Sequence, residues 1–255
     1  IVPMEGENRT LTFLGLQQFQ ENPRIGLQFF LRTLKQPIKV TDLVFVIAPR
    51  INAAGRMDHG LSAVELLMTD NLQLALPKAR SIDFFNTERR STDERITLEA
   101  LQQIVLNEDT TCFSTVVFHP SWHKGVIGIV ASRLIETYYR PTVVLTESEG
   151  VLSGSVRSVS GFDVYQALEA CSDFMIQFGG HKYAAGLTLK PEQLTGFKQC
   201  FEAYVESHLL PEQLQPTYSY DLEIHFDALT PKLYRIINQM APFGPKNINP
   251  VFVTH

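Results

Sequence analysis

Apolar and polar positions along the chain change period several times, and each change marks a new element. Between residues 8 and 20, Leu11, Leu14 and the apolar positions around residue 18 recur at helical spacing, which predicts a short amphipathic helix capped by Asn8. A second helix is predicted near residues 24–35. Residues 42–48 form an apolar run that fits a helix or a buried strand, because a short apolar run carries no period. Residues 61–68 are apolar and helical. From about 72 to 107 the pattern is helical throughout: Ala75, Ala79, Ile82 and Phe85 keep one face, while Ile96, Leu101, Ile104 and Val105 keep another. The polar stretch 86–95 between them predicts a solvated helix bridging two domains, about 50 Å long at ~1.5 Å per residue.

Past residue 110 strands and helices alternate. Ser114–Phe118 predicts a buried strand and Gly125–Tyr139 a helix. Residues 141–145 and 151–156 predict two strands joined by a hairpin-like turn at 147–150. Asp163 is set to cap a helix through Ala170, Ala184–Leu189 reads as another strand, and Pro191 opens a last helix reaching about His208. This β-α-β-β-α-β-α order predicts a compact α/β domain over about 110–208. After Pro211 and Pro216, strict alternation over Tyr218–Phe226 predicts a half-buried strand. A short helix at 230–240 and a Pro/Gly loop at 242–250 follow.

A length of 255 residues fits two domains, or one domain and two pieces. The apolar fraction of 44% and charged fraction of 19% are ordinary for a soluble globular protein. No run of about 18 apolar residues is present to cross a membrane, and Ile1–Gly6 lacks the basic-then-apolar pattern of a signal peptide. A cytoplasmic protein is expected. Because the first residue is not Met and 250–253 stops in a strand-like run, a piece of a longer protein is also expected. A net charge of −5 excludes a polycation that coats nucleic acid, yet leaves room for a local basic cleft. Cys112, Cys171 and Cys200 form no CxxC pair, which predicts reduced thiols rather than a disulfide framework or zinc site.

Four segments carry candidate chemistry. Pro49–Arg56 sets Arg50 and Arg56 around Asn52 and small residues; two guanidinium forks suit phosphate oxygens, though a tight loop whose arginines pair with surface carboxylates fits equally. Trp122–Ala131 brings His123 and Lys124 to the loop before a helix whose first amides could receive an anion. Its small residues at 125, 128, 131 and 132 also fit plain packing on a sheet. In Gly154–Ser158, alternation puts Ser155 and Arg157 on one face, and with Ser158 they form a compact oxyanion pocket. Phe178–Thr188 contains Gly179-Gly180-His181, predicted as a turn whose glycines adopt positive φ and aim amides at a ligand. His181 could donate to a phosphate or shuttle a proton, and a structural histidine fits the spacing as well. The carboxylates are scattered and no cluster has metal-site spacing, so no metal-ligating residue is assigned. P-loop, nucleophile elbow and dinucleotide fingerprint are absent.

In this order the four segments, with Glu5–Arg9 and Pro242–Asn247, resemble the RecJ family of single-strand-specific DNA exonucleases in the DHH phosphoesterase superfamily. Residues 178–188 resemble the Gly-Gly-His motif of its DHHA1 domain, with Phe178 standing where superfamily members often carry a third glycine. The resemblance runs over nearly the whole chain. It implies an α/β architecture: the end of a DHH domain (1–70), a long connecting helix (71–109), a DHHA1 domain with a mixed sheet (110–210) and the beginning of an OB-fold (216–255). It also implies a metal-dependent 5′→3′ exonuclease acting on single-stranded DNA in repair and recombination, with single-strand-binding protein and a helicase as further partners and no membrane. Manganese or magnesium would be held by DHH residues ahead of residue 1, so this stretch is expected to grip DNA, bind no metal and hydrolyse nothing by itself. His181 would be the catalytic contact to the scissile phosphate, and Ser155 and Arg157 would hold the 5′-phosphate. Arg50, Asn52, Arg56, His123, Ser158, Gly179 and Gly180 would be further substrate or phosphate contacts. An oligoribonucleotide or small-nucleotide phosphodiesterase of the same superfamily, and a non-catalytic nucleic-acid-binding scaffold, are the alternatives.

Overall fold

The computed structural model describes residues 2–35, 37–57, 59–107 and 109–254. Helix α1 (Gly6–Glu21) begins with Glu5 at the N-cap position and no side-chain cap. Asn8 is therefore not the cap: it lies inside the first turn, where its amide donates back to Pro3 O at 3.1 Å. A 3₁₀ turn (Ile25–Leu27), α2 (Gln28–Leu31) and α3 (Val40–Asp42) follow. The apolar run that fits helix or strand is helical. A π-helical turn (Leu43–Ile47) joins α3 to α4 (Ala48–Met57), and α5 (Leu61–Met68) and α6 (Leu72–Leu106) come next. Then come β1 (Thr115–Phe118), α7 (Ile127–Thr137), β2 (Thr142–Ser148), β3 (Val151–Arg157) and α8 (Val164–Ala170). Strands β4 (Gln177–His181) and β5 (Ala184–Leu189) precede α9 (Leu194–His208). Strand β6 (Leu222–Glu223), α10 (Pro231–Gln239) and β7 (Phe252–Val253) close the order. Two compact units result, one of residues 1–87 with 218–255 and one of residues 88–217.

The second unit is built on a five-stranded mixed sheet in the order β1-β2-β3-β5-β4, with β1 and β2 parallel and the other pairs antiparallel. The β2–β3 hairpin turns at Glu149 and Gly150, both at positive φ (56° and 78°), as a two-residue turn between twisted strands requires. Alternation divides the sheet into two faces. Val143, Leu145, Leu152, Val156, Ala185, Leu187 and Leu189 meet Ala167 and Leu168 of α8 and Phe197, Phe201 and Val205 of α9 in one core. Each fully buried large side chain there contributes roughly 1.5–3 kcal/mol. The opposite face receives α7, which buries Ile127, Val130, Ala131 and Leu134. Asp163 caps α8 as expected, accepting from the Tyr165 and Gln166 amides. Cys171 and Cys200, 29 residues apart in sequence, meet as free thiols with sulfurs 2.7 Å apart.

Helix α6 is continuous and most of its polar middle is exposed, but two polar side chains there turn inward. The buried positions Ala75, Ala79, Ile82 and Asn86, then Asp93, Ile96, Ala100 and Ile104, keep helical spacing throughout, and the polar Asn86 and Asp93 belong to that stripe. Val105, expected on the second face, is exposed. Asp93 is tolerated inside because cations meet it. Arg133 of α7 brings Nε to 2.8 Å from Oδ1 and donates from Nη2 to Oδ2 at 3.1 Å, and Arg89 lies 3.8 Å away. Farther along, the Gln103 amide both donates to Phe118 O and accepts from Phe118 N (3.0 and 3.1 Å), pairing with the backbone at the end of β1.

In the first unit, Phe30, Ile47, Ala54, Ala63, Leu66, Ala75, Ala79 and Ile82 form one core. Thr230 caps α10 by accepting from Leu233 N, and Arg9 of α1 closes the other end of that helix. Its guanidinium donates to the carbonyls of Gln239, Met240 and Ala241 at 2.9–3.2 Å, satisfying acceptors that a helix C-terminus leaves open. The half-buried strand expected over 218–226 is reduced to β6, which pairs with β7 for two residues only. Tyr218, Leu222 and Phe226 are exposed. Alternation builds a strand face only where an apolar layer meets it, and among the described residues none covers these side chains.

Candidate nucleic-acid interface

Register decides which candidate side chains meet. Arg157 pairs with Ala184, and Ala184 with His181; Ser155 pairs with Gly186, and Gly186 with Gly179. These two rows lie on the face that carries α7, since the alternate residues Gly154, Val156, Ala185 and Leu187 face the α8–α9 core. Neighbouring strands stand about 4.8 Å apart, so β3 and β4 are separated by about 10 Å, and only Ala184 and Gly186 fill the space between them. Helix α7 contacts β2 and β3, while Gly179, His181 and Gly186 are exposed. The result is a flat strip with Ser155 and Arg157 on one side and His181 on the other.

Gly179-Gly180-His181 is not the turn that the sequence predicts. All three residues pair with β5, and the chain reverses at Lys182-Tyr183. Gly180 alone adopts positive φ (153°), and a Cβ there would lie 2.4 Å from Ala184 O and 2.5 Å from Ala185 Cα. Gly179 has no atom within 4 Å of such a Cβ and belongs to the strip. The His181 ring accepts from Tyr183 N through Nδ1 (3.3 Å), which assigns the proton of the neutral ring to Nε2. Lys182 adds a cation at the same hairpin, with Nζ 5.6 Å from the Tyr183 ring centre.

On the other side, Arg157 Nη1 donates to Ser155 Oγ (3.1 Å) and Val156 O (2.8 Å). The first turn of α7 lies against this pair: a Cβ built on Gly128 would come within 2.9 Å of both Arg157 Nη2 and Ser155 Oγ. The amides of Ile127 and Gly128 start the helix and have no acceptor within it. Guanidinium, hydroxyl, helix dipole and the Nε2–H of His181 together make an anion-seeking surface on a chain whose net charge is −5.

The remaining predicted residues are not drawn to this group. Ser158 donates from Oγ to Phe162 O (2.9 Å) and from N to Tyr183 O (3.1 Å), bonds that close the loop after β3. His123 is exposed, and its Nδ1 accepts from Gly125 N (3.1 Å) within its own loop. Trp122 anchors that loop: its indole donates to Glu99 at 2.8 Å, and this bond holds the Glu99 carboxyl below its usual value. In the first unit, Pro49–Arg56 is helical rather than a loop, because α4 continues directly from the π turn. Arg50 is engaged inside that unit, with Asp83 at 2.7 Å, Val46 O at 2.8 Å and the Phe30 ring centre at 5.7 Å. Asn52 and Arg56, one helical turn apart, share an exposed face of α4. Among the described residues no group of three or more His, Cys, Asp or Glu side chains could hold a metal ion. No helix among them is long and apolar enough to cross a membrane.

The sequence reading misses the strip's floor and the role of Gly128. The floor had a signal: Ala184 and Gly186 are small at alternate positions of a strand whose other positions are Ala185 and Leu187. Gly128 reads only as a small residue for packing on a sheet, since the side chains it meets come from a strand 27 residues away.

Comparison with known proteins gives the chain's relatives. Residues 109–207 match the DHHA1 domain and residues 220–255 the RecJ OB domain. The chain is 34% identical over 255 residues to the single-stranded-DNA-specific exonuclease RecJ of Bacillus subtilis, covering 98% of this chain and 32% of that protein. It is 32% identical over 267 residues to the enzyme of the same name from Escherichia coli, covering 100% and 46%. It superposes on the crystal structure of RecJ in complex with Mn²⁺ from Thermus thermophilus with a TM-score of 0.88, at 30% identity over 100% of this chain and 38% of that one. The chain thus spans less than half the length of these relatives.

Proposed function

Carrying a DHHA1 domain and RecJ OB sequence, the chain belongs to the RecJ family, and on that premise we propose that it grips single-stranded DNA for a metal-dependent 5′→3′ exonuclease. One observation carries the reading: Ser155 and Arg157 stand across a flat, small-residue floor from His181. A terminal phosphate seats on the Arg157–Ser155 side, where a planar fork and a hydroxyl match its oxygens. The next phosphodiester then runs over Ala184 and Gly186, which leave room for backbone rather than side chain. His181 meets that phosphodiester with an Nε2–H and stabilises charge developing on its oxygens. The exposed Asn52–Arg56 face of α4 and the exposed His123 contribute further contacts to the strand. Gly180 serves the site through the backbone, by letting β4 close on β5.

The same proposal takes residues 1–70 as the end of a DHH domain, 71–109 as a connecting helix, 110–210 as the DHHA1 domain and 216–255 as OB-fold sequence. Manganese or magnesium, named for the relatives' structures, would be held by residues other than those described here. Work in cytoplasmic repair and recombination, alongside single-strand-binding protein and a helicase, belongs to this reading too.

The test is binding of fluorescent single-stranded DNA with a 5′-phosphate against the same strand with a 5′-hydroxyl. The wild-type chain is expected to prefer the phosphorylated end by about ten-fold or more, the worth of one charge-assisted hydrogen-bond pair. Arg157→Ala should abolish the preference and leave 5′-hydroxyl binding within about two-fold of wild type. An Arg157→Ala protein that keeps the preference rejects the phosphate assignment.

A further inference from the structure

We infer that Gly128 is a positioning residue for Arg157 and so sets the recognition of a 5′-phosphate end. This rests on the phosphate reading above and extends it to a helix that contributes no ligand side chain. The geometry is specific. Gly128 is the second residue of α7, and a Cβ there would fall 2.9 Å from Arg157 Nη2, 2.9 Å from Ser155 Oγ and 3.7 Å from Arg157 Cζ. The first two distances are shorter than any ordinary carbon contact, so a methyl group and the observed guanidinium cannot coexist.

The neighbours cannot absorb the collision elsewhere. Ser155 is fixed in the middle of β3 by pairing with Val144 and Gly186, and Arg157 by pairing with Thr142 and Ala184. Helix α7 is held in place by the Arg133–Asp93 contact and by the burial of Val130, Ala131 and Leu134. What can yield is the side-chain ends: the Ser155 hydroxyl can rotate, and the guanidinium can swing out of the plane in which it now donates to Ser155 Oγ and Val156 O, and either move breaks the Arg157–Ser155 bond. Removing the Cβ at 128 is therefore what lets a guanidinium lie flat against the start of a helix, adding its charge to the open amides there. Glycine has a lower helix propensity than alanine, so helix formation itself gives no reason for it. By that comparison Gly128→Ala should raise helix propensity while spoiling the site.

The experiment is a double-mutant cycle at 128 and 157, read as the ratio of 5′-hydroxyl to 5′-phosphate dissociation constants for the chain with single-stranded DNA. Gly128→Ala is expected to reduce the end preference about ten-fold while 5′-hydroxyl binding changes by less than about two-fold; a general loss of structure would weaken both ends together. Arg157→Lys removes the guanidinium nitrogen and carbon that the added methyl would meet, leaving the rotatable Ser155 hydroxyl beside it. The Gly128→Ala change should therefore have little further effect in the Arg157→Lys background, and the two substitutions should be strongly non-additive. Additive effects, or a Gly128→Ala protein with the wild-type ratio, overturn the inference while leaving the phosphate reading intact if Arg157→Ala still abolishes the preference. A wild-type chain with no end preference overturns the phosphate reading itself. If Gly128→Ala does not fold, recovery of folding in the Gly128→Ala/Arg157→Lys protein supports the collision with Arg157; failure of both to fold assigns Gly128 to helix–sheet packing and overturns the inference.

Discussion

Replacing Asp93 by alanine should destabilise residues 88–217 selectively, by an amount the structure bounds. The carboxylate is fully buried, with Arg133 Nε at 2.8 Å and Nη2 at 3.1 Å. The Nε contact to Oδ1 is ionic rather than a well-aligned hydrogen bond. Removing one partner of a buried pair costs about 3–5 kcal/mol when the other charge is stranded. The Arg133 side chain is 36% exposed and can recover water, so the expected loss falls below that range, to about 2–3 kcal/mol. With a urea slope of about 2 kcal/mol per molar, the midpoint should fall by about 1–1.5 M. Trp122 supplies the assay: it is the single tryptophan, it is buried, and it belongs to the affected unit. Pairing Asp93→Ala with Arg133→Met should give a coupling energy of at least about 1.5 kcal/mol, since the second substitution removes the stranded cation. Acidity gives a second reading. Burial raises the Asp93 carboxyl above its ordinary value of 3.8, and the attraction of Arg133 and Arg89 offsets only part of that. The folded state then keeps this proton to higher pH than the unfolded chain. Asp93's titration therefore favours folding most below about 3.8, and that benefit is lost as pH rises through the higher folded value. Asp93→Asn should remove this slope. A midpoint change worth less than about 0.5 kcal/mol, or a coupling energy near zero, would refute the reasoning.

Two further outcomes follow from neighbouring features. Gly180→Ala should cost about 2–3 kcal/mol, from backbone strain at φ 153° and the contact with Ala184 O, whereas Gly179→Ala should cost under about 1 kcal/mol; equal melting temperatures for the two variants would contradict the assigned backbone geometry. The emission of Trp122 should titrate with a midpoint below 4.5, because its indole bond holds the Glu99 carboxyl down. The stabilising effect of that bond is present above 4.5 and lost as pH falls through the lower folded value, and Glu99→Gln should abolish the step, a result checked by acid titration of fluorescence.

What was legible in the sequence tracks how local the cause is. The hairpin at Glu149-Gly150, the Asp163 cap, the long helix after residue 72 and the shared face of Ser155 and Arg157 follow from turn chemistry, capping and period, which act over a few residues. Gly179-Gly180-His181 was misread as a turn because glycine pairs signal reversal, and the partner that holds them extended, β5, becomes visible only through register. For Arg50 the sequence offers a phosphate contact, and its observed partner Asp83, 33 residues away on another helix, has no local signal. Asp93 looked solvated because nothing in its neighbourhood forecasts Arg133, 40 residues downstream. The segment 218–226 shows the converse failure, where a clear period lacks the layer it should pack against.

The bonds from Arg9 to the end of α10 bridge 230 to 232 residues of chain. The unit they close is discontinuous, with residues 88–217 intervening between its two parts. During synthesis, residues 88–217 leave the ribosome with every contact of their own core available, while α1 waits for α10. Folding of the two units should therefore proceed in sequence order of completion, with the intervening domain first and the enclosing one last. Closing so long a loop around an already compact insert costs less entropy than closing it around an unfolded one, because the effective loop is shorter. Completion of the first unit is thus the last step that chain order allows.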